Sequence, residues 1–338
     1  MICNKTLDVT DKLECRSISI IIVNWNSGEL LVKCLEHLAV QTVQPNQVLI
    51  IDNASSDNSV DYIDCTGNVS LQKIDRNLGF AAGNNFLLDG CNSEFIVLLN
   101  PDAFPEAEWL ENLLIAASDN PDVAAFGSQQ LIQSKPEYVD GVGDSYHLSG
   151  LVWRECHGAR QQTVGLDQKE IFSPCAAAAL YRRQAVMDAG GFDEDYFCYV
   201  EDVDLGFRLR LLGHQAMYVA NAVVHHVGSA TTGGQHSDFA VYHGHRNLVW
   251  TFIKNMPSIL FWALLPIHLM MNIAVLILFS LRGQGRVIFK SKWDALMGVP
   301  LAWRKRKLIQ ASRTVGVVDI WRLLNKKVIP FSRFKRLE

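Results

Sequence analysis

The feature that most constrains the fold is a short apolar segment near the start of the chain. Residues 17–24 read Ser-Ile-Ser-Ile-Ile-Ile-Val-Asn, and a segment so rich in β-branched residues is typical of a strand buried on both faces. Similar strand patterns follow at residues 47–52, 69–74, 95–99 and 123–127, and helical patterns lie between them at 28–40, 60–65, 79–89 and 105–118. Strands that alternate with helices predict an α/β fold with a mostly parallel sheet.

The pattern is less regular after about residue 140. Strands are predicted at 147–154, 176–182 and 215–220, and helices at 201–212 and 236–254. Residues 258–281 then form a 24-residue stretch without Asp, Glu, Lys or Arg, which is long enough to cross a bilayer. We therefore divide the chain into four parts. These are an N-terminal extension (residues 1–16), an α/β domain (17–257), a hydrophobic segment (258–281) and a C-terminal tail (282–338).

The charge of the chain is unevenly distributed. The net charge is −4, yet the part from Arg282 onward holds 15 Lys+Arg against 3 Asp+Glu, and the rest holds 16 against 32. A basic tail on an acidic body indicates an anionic partner for the tail. Because these basic residues follow a membrane-like segment, lipid headgroups are a better candidate than nucleic acid, and we expect no nucleic-acid partner.

The N-terminus and the cysteines indicate a reducing, intracellular setting. Residues 1–16 lack the apolar core of a signal peptide, so we do not expect the α/β domain to be exported. The eight cysteines are scattered and contain no C-x-x-C pair. We expect them to be free thiols.

Polar residues follow directly after two of the predicted strands. Asn24, Trp25 and Asn26 follow the first, and Asp52 and Asn53 follow the second. Ligands of such sheets bind beyond the carboxyl ends of the strands. Asp52 could accept a hydrogen bond from the N3–H of uracil or thymine, so we predict a nucleotide pocket here; the alternative is a simple turn.

Asn77 and Gly79 lie where the helix at 79–89 begins. A helix N-terminus favours anions, and glycines allow a ligand to approach the backbone closely. A helix start with glycines needed only for packing is an equally good account of this segment.

Asn100-Pro101-Asp102 follows the strand at 95–99, and Asn100 is a further candidate donor-binding residue. A carboxylate on a stiff loop suits Mg²⁺ or Mn²⁺, and a divalent cation would offset the charge of a departing diphosphate. The alternative is a plain Asn-Pro turn. His225 or His226, after the strand at 215–220, could complete a metal site. Neighbours in an extended chain point to opposite faces, so at most one faces it.

Carboxylates and aromatic residues are mixed between residues 192 and 204. Asp204 and Arg208 form an i,i+4 pair, to which we assign a structural role. Glu201 and Asp202 begin a predicted helix, where acidic residues also complement the helix dipole. A carboxylate base must reach an acceptor hydroxyl, and both are candidate catalytic residues. The candidate acceptor-binding residues are Phe192, Asp193, Phe197 and Tyr199.

Together these motifs resemble glycosyltransferase family 2, in particular its rhamnosyltransferase-like members that build bacterial polysaccharides. The resemblance covers roughly residues 18–257. It rests on six stretches in the family's order, at residues 21–26, 52–57, 77–80, 98–102, 191–194 and 199–204.

The resemblance implies a GT-A fold in which Asp52 contacts the base and Asp102 holds a divalent metal. It also implies that Asp202 is the catalytic base and that His225 or His226 is a metal ligand. Many members have Asp-x-Asp where this chain has Asn-Pro-Asp, so fewer charged ligands would hold the metal.

The implied activity is inverting transfer of a sugar from a nucleoside diphosphate to a hydroxyl of a saccharide or polyprenyl-diphosphate-linked acceptor. Rhamnose from dTDP-rhamnose is the first expectation; galactofuranose, glucose and N-acetylglucosamine are alternatives. An inactive sugar-nucleotide-binding assembly protein also fits. A nucleotidyltransferase would leave Glu201 and Asp202 without a role. The oligomeric state stays open.

Nucleotide sugars are cytosolic, and a basic tail also prefers the cytosolic side of a membrane. A single crossing by residues 258–281 would separate body and tail. We therefore expect an in-plane or re-entrant segment at the cytoplasmic face of the inner (plasma) membrane, with residues 304–307 on anionic headgroups. The alternative is a buried core or dimer helix, because Pro266 and His268 interrupt the stretch.

Overall fold

The computed structural model describes residues 16–165, 167–228, 234 and 236–327. The strands are β1 (Ile18–Asn24), β2 (Gln47–Asp52), β3 (Val69–Lys73), β4 (Phe95–Leu99), β5 (Ala103–Pro105), β6 (Val123–Ile132), β7 (Lys135–Gly141), β8 (Asp144–Tyr146), β9 (Val152–Arg154), β10 (Lys169–Glu170), β11 (Ala178–Arg182) and β12 (Gln215–His226). The helices are α1 (Leu30–Ala39), α2 (Gly79–Leu88), α3 (Trp109–Asp119), α4 (Arg183–Asp188), α5 (Glu201–Leu211), α6 (Asp238–Asn255), α7 (Ser258–Leu281), α8 (Gly285–Met297), α9 (Val299–Ser312) and α10 (Val317–Leu323).

Ten strands form one sheet in the order β10-β12-β6-β11-β4-β1-β2-β3, with β5 beside β12 and β7 beside β6. β1 is parallel to β2 and β4, and β6 is parallel to β12, whereas β11 runs antiparallel between β4 and β6. Asn24 lies opposite Asp52, so the carboxyl ends of β1 and β2 meet at one edge. The predicted α/β fold with a mostly parallel sheet is confirmed.

Two predicted elements differ from the structure. Residues 60–65 contain turns and no helix. Asp57 accepts hydrogen bonds from the N–H groups of Gly28 and Ser59, which draws the start of this segment into a loop. Residues 147–154 contain only the short strand β9, which pairs with β8 in a hairpin apart from the main sheet.

Apolar side chains fill both faces of the sheet. Leu31 and Trp109 belong to the layer that covers one face, and Leu87 and Leu205 belong to the layer on the other. Each fully buried leucine contributes about 1.5–3 kcal/mol of hydrophobic stabilisation. The helices on the two faces hold the sheet rigidly, and the loops at its carboxyl edge are held with it.

Residues 282–327, assigned to a tail from the sequence, fold against the body. α8 and α9 pack on α6. Arg306 is buried and donates to two carbonyl groups at the C-terminal end of α6, both at 2.6 Å. Lys305 forms ion pairs with Asp193 and Asp195. The expectation that residues 304–307 all lie on lipid headgroups is therefore wrong for Lys305 and Arg306, because both charges are used within the protein.

α7 is the one helix of the described residues that is long and apolar enough to cross a membrane, judged by length and composition alone. His268, near its middle, is buried against the body. Its Nδ1 lies 2.8 Å from the Ser149 carbonyl oxygen, and its ring stacks on Phe252 with centroids 3.9 Å apart. The outer face of α7 is apolar and exposed, with Trp262 63% and Met270 69% accessible.

Candidate active site

Asn24 and Asp52 lie together in a polar site at the ends of β1 and β2. Asn24 is fully buried, and its Nδ2 donates to Asp52 Oδ1 at 3.0 Å, to Ser55 Oγ at 3.2 Å and to Ser59 Oγ at 2.9 Å. The side chain of Asn24 is therefore used to orient Asp52 and does not itself reach a ligand. Asp52 lies where a base-binding carboxylate was predicted.

The turns that follow these two strands are linked to each other. The Asn26 N–H donates to Ser55 Oγ at 2.9 Å, and Asn26 Oδ1 accepts from the Ser56 N–H at 2.7 Å. Asn26 has φ +49, in the left-handed region that asparagine tolerates. Trp25 beside it is half-buried. The structure thus brings together the two segments that were predicted to bind a nucleotide.

The start of α2 packs against the same turns. Asn53 is buried; its Nδ2 donates to the Gly79 carbonyl at 3.1 Å and its Oδ1 accepts from the Leu78 N–H at 2.8 Å. Asn77 Oδ1 accepts from the Gly79 N–H at 2.8 Å. A Cβ on Gly79 would lie 2.5 Å from the Phe197 carbonyl oxygen. Asn53 and Asn77 therefore hold the turn, and glycine is needed for this close approach.

Asp102 and His226 lie side by side where β5 pairs with the end of β12. His226 is opposite Ala103 in that pair, and its Nε2 is 3.4 Å from Asp102 Oδ1. His225 points to the other face of β12, where its Nε2 is 3.1 Å from Glu106 Oε1. Of the two candidate histidines, His226 is the one that faces Asp102.

Asp140, which was not predicted from the sequence, holds the other side of the His226 ring. Its Oδ2 lies 2.8 Å from His226 Nδ1. Burial by itself lowers the pKa of His226, but the carboxylates of Asp102 and Asp140 raise it to about 9. Asp140 also pairs with Arg154, which holds the pKa of that carboxyl well below its usual range although burial opposes this.

Asp102 and His226 suit a divalent cation. Carboxylate and imidazole are usual ligands of such ions, and two ligands about 2.1 Å from one octahedral ion lie about 3 Å apart. Asp140 on Nδ1 keeps Nε2 turned toward Asp102, as carboxylates do at metal-binding histidines. Among the described residues, the Asp102 carboxylate at 3.4 Å is the polar group recorded beside His226 Nε2.

Two protein side chains would hold an ion only if oxygen atoms of a bound substrate or of water complete its coordination. In the described part of the chain, no group of three or more His, Cys, Asp or Glu side chains gathers around one point. Mg²⁺-type ions are often bound by one or two carboxylates plus substrate phosphates. The residues present therefore fit an ion that is completed by a bound diphosphate.

Glu201 and Asp202 begin α5 and have different surroundings. Glu201 is 6% exposed, and its Oε2 has no hydrogen-bond partner among the described residues. Asp202 lies in a recess, surrounded by protein but still partly accessible. Its Oδ2 accepts from the Ala176 N–H at 3.1 Å and its Oδ1 from the Val203 N–H at 2.8 Å. Of the two residues, Asp202 is the more accessible, which favours it over Glu201 as the candidate base.

Both carboxyl groups ionise less readily than free ones. Burial, and then the charge of Asp202, raises the pKa of Glu201 well above its usual range. Burial also raises the pKa of Asp202, although two backbone N–H groups and Arg154 act against it. A raised pKa makes a carboxylate a stronger base, which suits Asp202 to accept a proton.

A short segment before β11 connects the loop of Asp102 with the start of α5. The Asn100 N–H donates to the Ala177 carbonyl at 2.9 Å. The Ala176 N–H, one residue earlier, donates to Asp202. The candidate metal ligand and the candidate base therefore lie on loops that both contact residues 175–177.

The four predicted acceptor-binding residues differ in accessibility. Phe192 is 3% exposed in the core, and Asp193 is bound by two lysines. These two predictions are corrected, because Phe192 offers no ring face and the charge of Asp193 is already neutralised. Phe197 and Tyr199 are partly exposed and lie just before α5.

A wide, open groove of about 740 Å³ lies along α1, with Gly28, Lys33 and Tyr62 among its lining residues. Neither Asp102 nor Asp202 lines it. This groove is therefore separate from the two candidate catalytic carboxylates.

The site residues missed by sequence reasoning are Asp140 and Arg154. Asp140 is separated from His226 by 86 positions, and nothing in the surrounding Tyr-Val-Asp-Gly segment marks it. Its burial, and hence its need for a partner, becomes visible only in the structure.

Comparison with known proteins places these observations in a family. Residues 19–190 match the glycosyl transferase family 2 description. The chain is 27% identical over 249 residues to the N-acetylglucosaminyl-diphospho-decaprenol L-rhamnosyltransferase of Mycobacterium tuberculosis, covering 67% of this chain and 81% of that protein. It is 27% identical over 214 residues to the O-antigen chain rhamnosyltransferase RfbN of Salmonella typhimurium, covering 62% and 66%.

Solved structures show the same fold. GalNAc-T7 with UDP, GalNAc and Mn²⁺ superposes with a TM-score of 0.59 at 14% identity, covering 72% of this chain and 48% of that one, so this chain spans about half of GalNAc-T7. The mannosyltransferase PcManGT from Pyrobaculum calidifontis, in complex with GDP-Man and Mn²⁺, superposes with a TM-score of 0.52 at 15% identity, covering 91% and 88%. The fold is GT-A, as predicted. The family match spans half of the chain, and fold and motif order agree with it, so the chain belongs to glycosyltransferase family 2 and is a rhamnosyltransferase-like glycosyltransferase.

Proposed function

We propose that this chain is an inverting rhamnosyltransferase that moves rhamnose from dTDP-rhamnose to a hydroxyl of a polyprenyl-diphosphate-linked saccharide. The observation that carries the proposal is the segment at residues 175–177. It contacts the loop that bears Asp102 through Asn100 and contacts Asp202 directly. A single displacement needs the metal-side carboxylate and the base close to one anomeric carbon, and these two contacts support that proximity.

In the proposed reaction, Asp202 takes the proton from the acceptor hydroxyl. The hydroxyl oxygen attacks the anomeric carbon from the face opposite the diphosphate, and the bond from that carbon to the diphosphate oxygen breaks. The nucleoside diphosphate leaves as an anion and the configuration inverts. Asp52, oriented by Asn24, accepts from the base of the donor.

Asp102 and His226 would hold a divalent cation, Mg²⁺ or Mn²⁺. Such an ion supplies positive charge that stabilises a departing diphosphate. Asp140 keeps the His226 ring in place by binding Nδ1, 2.8 Å away. Because Asn100 stands where many members have a second carboxylate, we expect weaker metal binding than in Asp-x-Asp enzymes.

The names of the relatives support the substrate part of the proposal. One relative is named as acting on a diphospho-decaprenol-linked N-acetylglucosamine, and two are named rhamnosyltransferases. Another hexosyl donor is the main alternative. An inactive sugar-nucleotide-binding protein is the second, and it predicts binding of a nucleoside diphosphate without transfer.

We further propose that the enzyme works at the cytoplasmic face of a membrane, with α7 in the plane of the interface. His268 ties the middle of α7 to the body, which suits a helix lying on the membrane better than one crossing it. Exposed apolar side chains continue onto α8, where Phe289 is 62% and Trp293 56% accessible. Cosedimentation with vesicles tests this proposal. Binding is expected to need anionic lipid and to weaken in the double variant Trp262→Ser/Trp293→Ser. Equal recovery of the wild type and the double variant in the vesicle-free fraction would contradict it.

The activity is tested with purified, detergent-solubilised full-length protein, Mn²⁺ or Mg²⁺, a polyprenyl-diphosphate-linked N-acetylglucosamine acceptor and a panel of nucleotide sugars. Transfer is expected from dTDP-rhamnose, with metal stimulation and inversion at the anomeric carbon. Transfer from a different donor only would reassign the sugar. Binding of nucleotide without any transfer would favour the inactive alternative.

A further inference from the structure

The lead-in segment, residues 196–200 before α5, has a strained backbone. Phe197 has φ +64 and ψ −67, and the residue after it donates an N–H to the carbonyl of the residue before it at 2.8 Å. These values define the rare γ-turn with positive φ. Tyr199 and Val200 follow with φ +67 and +70. Such values are unfavourable for residues that have a Cβ, so surrounding contacts must hold the lead-in segment in this form.

Asn247 of α6 makes the contacts that match this strained form. It is fully buried. Its Nδ2 lies 3.1 Å from the Tyr196 carbonyl oxygen, 3.0 Å from that of Cys198 and 2.8 Å from that of Tyr199. A regular helix or strand would not turn these three carbonyls toward one point. The left-handed residues do, and the two N–H groups of a single amide are shared among them.

Arg246 fixes the orientation of that amide. Its Nε donates to Asn247 Oδ1 at 2.9 Å, so the opposite orientation would bring two donors together. Its Nη2 also donates to the carbonyls of Asp195 and Tyr196, both at 3.0 Å. Two adjacent residues of α6 thus donate to four carbonyl groups in and beside the lead-in segment.

The lead-in segment connects the two sides of the candidate active site. The Phe197 carbonyl accepts from the Ala81 N–H at 3.1 Å, at the start of α2. A Cβ on Gly79 would overlap the same carbonyl oxygen. The other end of the segment leads directly into α5, which begins with Glu201 and Asp202. Its conformation therefore sets the distance between the turn beside Asn53 and the recess that holds Asp202.

We infer that Asn247 is a positioning residue for sugar transfer, which holds the strained lead-in segment so that Asp202 keeps its place relative to the donor pocket. The inference rests on the proposed function in assigning the base role to Asp202. In the part of the chain that the structure describes, the side chain of Asn247 does not hydrogen-bond to the carboxylates of Asp102, Glu201 or Asp202. Its loss should therefore lower kcat and leave donor binding almost unchanged.

The test compares Asn247→Asp with Asn247→Ala in the full-length protein. Asp keeps the size of the side chain but replaces the donating NH₂ group with oxygen. If Asn247 only filled space, Asp would be the milder change. If Asn247 instead acts by donating to the three carbonyls, Asp should lower kcat at least as much as Ala does. The expected loss is about 100-fold, which is the effect of misplacing a reacting group by about 1 Å. The affinity for dTDP, measured by calorimetry, should stay within about threefold.

Asn272→Ala is the matched control, because this asparagine donates to a backbone carbonyl of α7, away from the lead-in segment. It should leave kcat within about twofold. Amide hydrogen exchange should quicken at residues 196–203 in the Asn247 variants and not in the control, a readout that does not depend on the reaction assigned. A kcat within about threefold of wild type in Asn247→Asp overturns the inference. Full activity of Asp202→Asn would instead overturn the proposed function.

Discussion

Asp140 Oδ2 lies 2.8 Å from His226 Nδ1, so the Nε2 atom of the same ring is turned toward Asp102. β7 brings Asp140 to one side of the ring, and the pairing of β5 with β12 brings Asp102 to the other. A histidine held between two carboxylates can carry a proton on Nε2 or release that position to a cation. Asp140 thereby sets which nitrogen is available.

Asp140→Asn should weaken metal activation. The amide can still bond to the His226 ring, but the lost charge makes the imidazole a poorer ligand, and partners of this kind typically contribute 10–100-fold in affinity. We expect the Mn²⁺ concentration for half-maximal activity to rise by about that factor. Glu106→Gln is the control, because Glu106 pairs with His225 on the opposite face of the same strand. Equal effects of the two substitutions would remove Asp140 from the metal site.

Asp202→Asn should retain donor binding and lose transfer. The amide keeps the size of the carboxyl group but cannot take a proton, and loss of a general base reduces rates by about 100- to 10,000-fold. Calorimetry with dTDP should show an affinity within about threefold of wild type, while product formation becomes barely measurable. Near-normal turnover would exclude Asp202 as the base.

The rate should depend on pH through the same carboxyl group. Burial raises the pKa of Asp202, so its ionised form, the one that accepts a proton, is lost at a higher pH than for a free aspartate, whose value is about 3.9. The acid limb of kcat/KM should therefore lie above that value. Arg154 lowers the pKa of Asp202, so Arg154→Gln should move the acid limb to higher pH and Arg154→Lys should move it less. A profile unchanged in both variants, with the fold intact by circular dichroism, would contradict this.

The sequence was sufficient for the parts of the fold whose residues are buried on both faces. β1, β2 and β4 were predicted to within a residue because their apolar runs have few alternatives, and Asn24, Asp52 and Asp102 follow from the ends of those strands. Asp140 could not be predicted, because its role arises from a contact between distant strands.

The helices beyond residue 282 were missed for a related reason. The excess of basic residues in this stretch led to its assignment as a tail that faces an anionic surface. Arg306 instead donates to backbone carbonyls of the body, and Lys305 pairs with carboxylates. These partners are visible only once α6 and α9 pack together. Tertiary contacts therefore decide whether such a segment is free or part of the fold.

Gly79→Ala should impair transfer more than folding, and Gly67→Ala provides the comparison. Both glycines have positive φ, +83 and +67, so an alanine at either position costs about 1–2 kcal/mol of stability from the backbone alone. At Gly67 nothing lies within 4 Å of the added Cβ, whereas at Gly79 it would meet the Phe197 carbonyl oxygen at 2.5 Å and displace the lead-in segment. We expect thermal unfolding to show the shared loss in both variants. Only Gly79→Ala should also lower kcat, by about tenfold or more, since it moves the segment that precedes Asp202. Equal kcat values for the two variants would show that the contact between α2 and the lead-in segment does not control the position of the base.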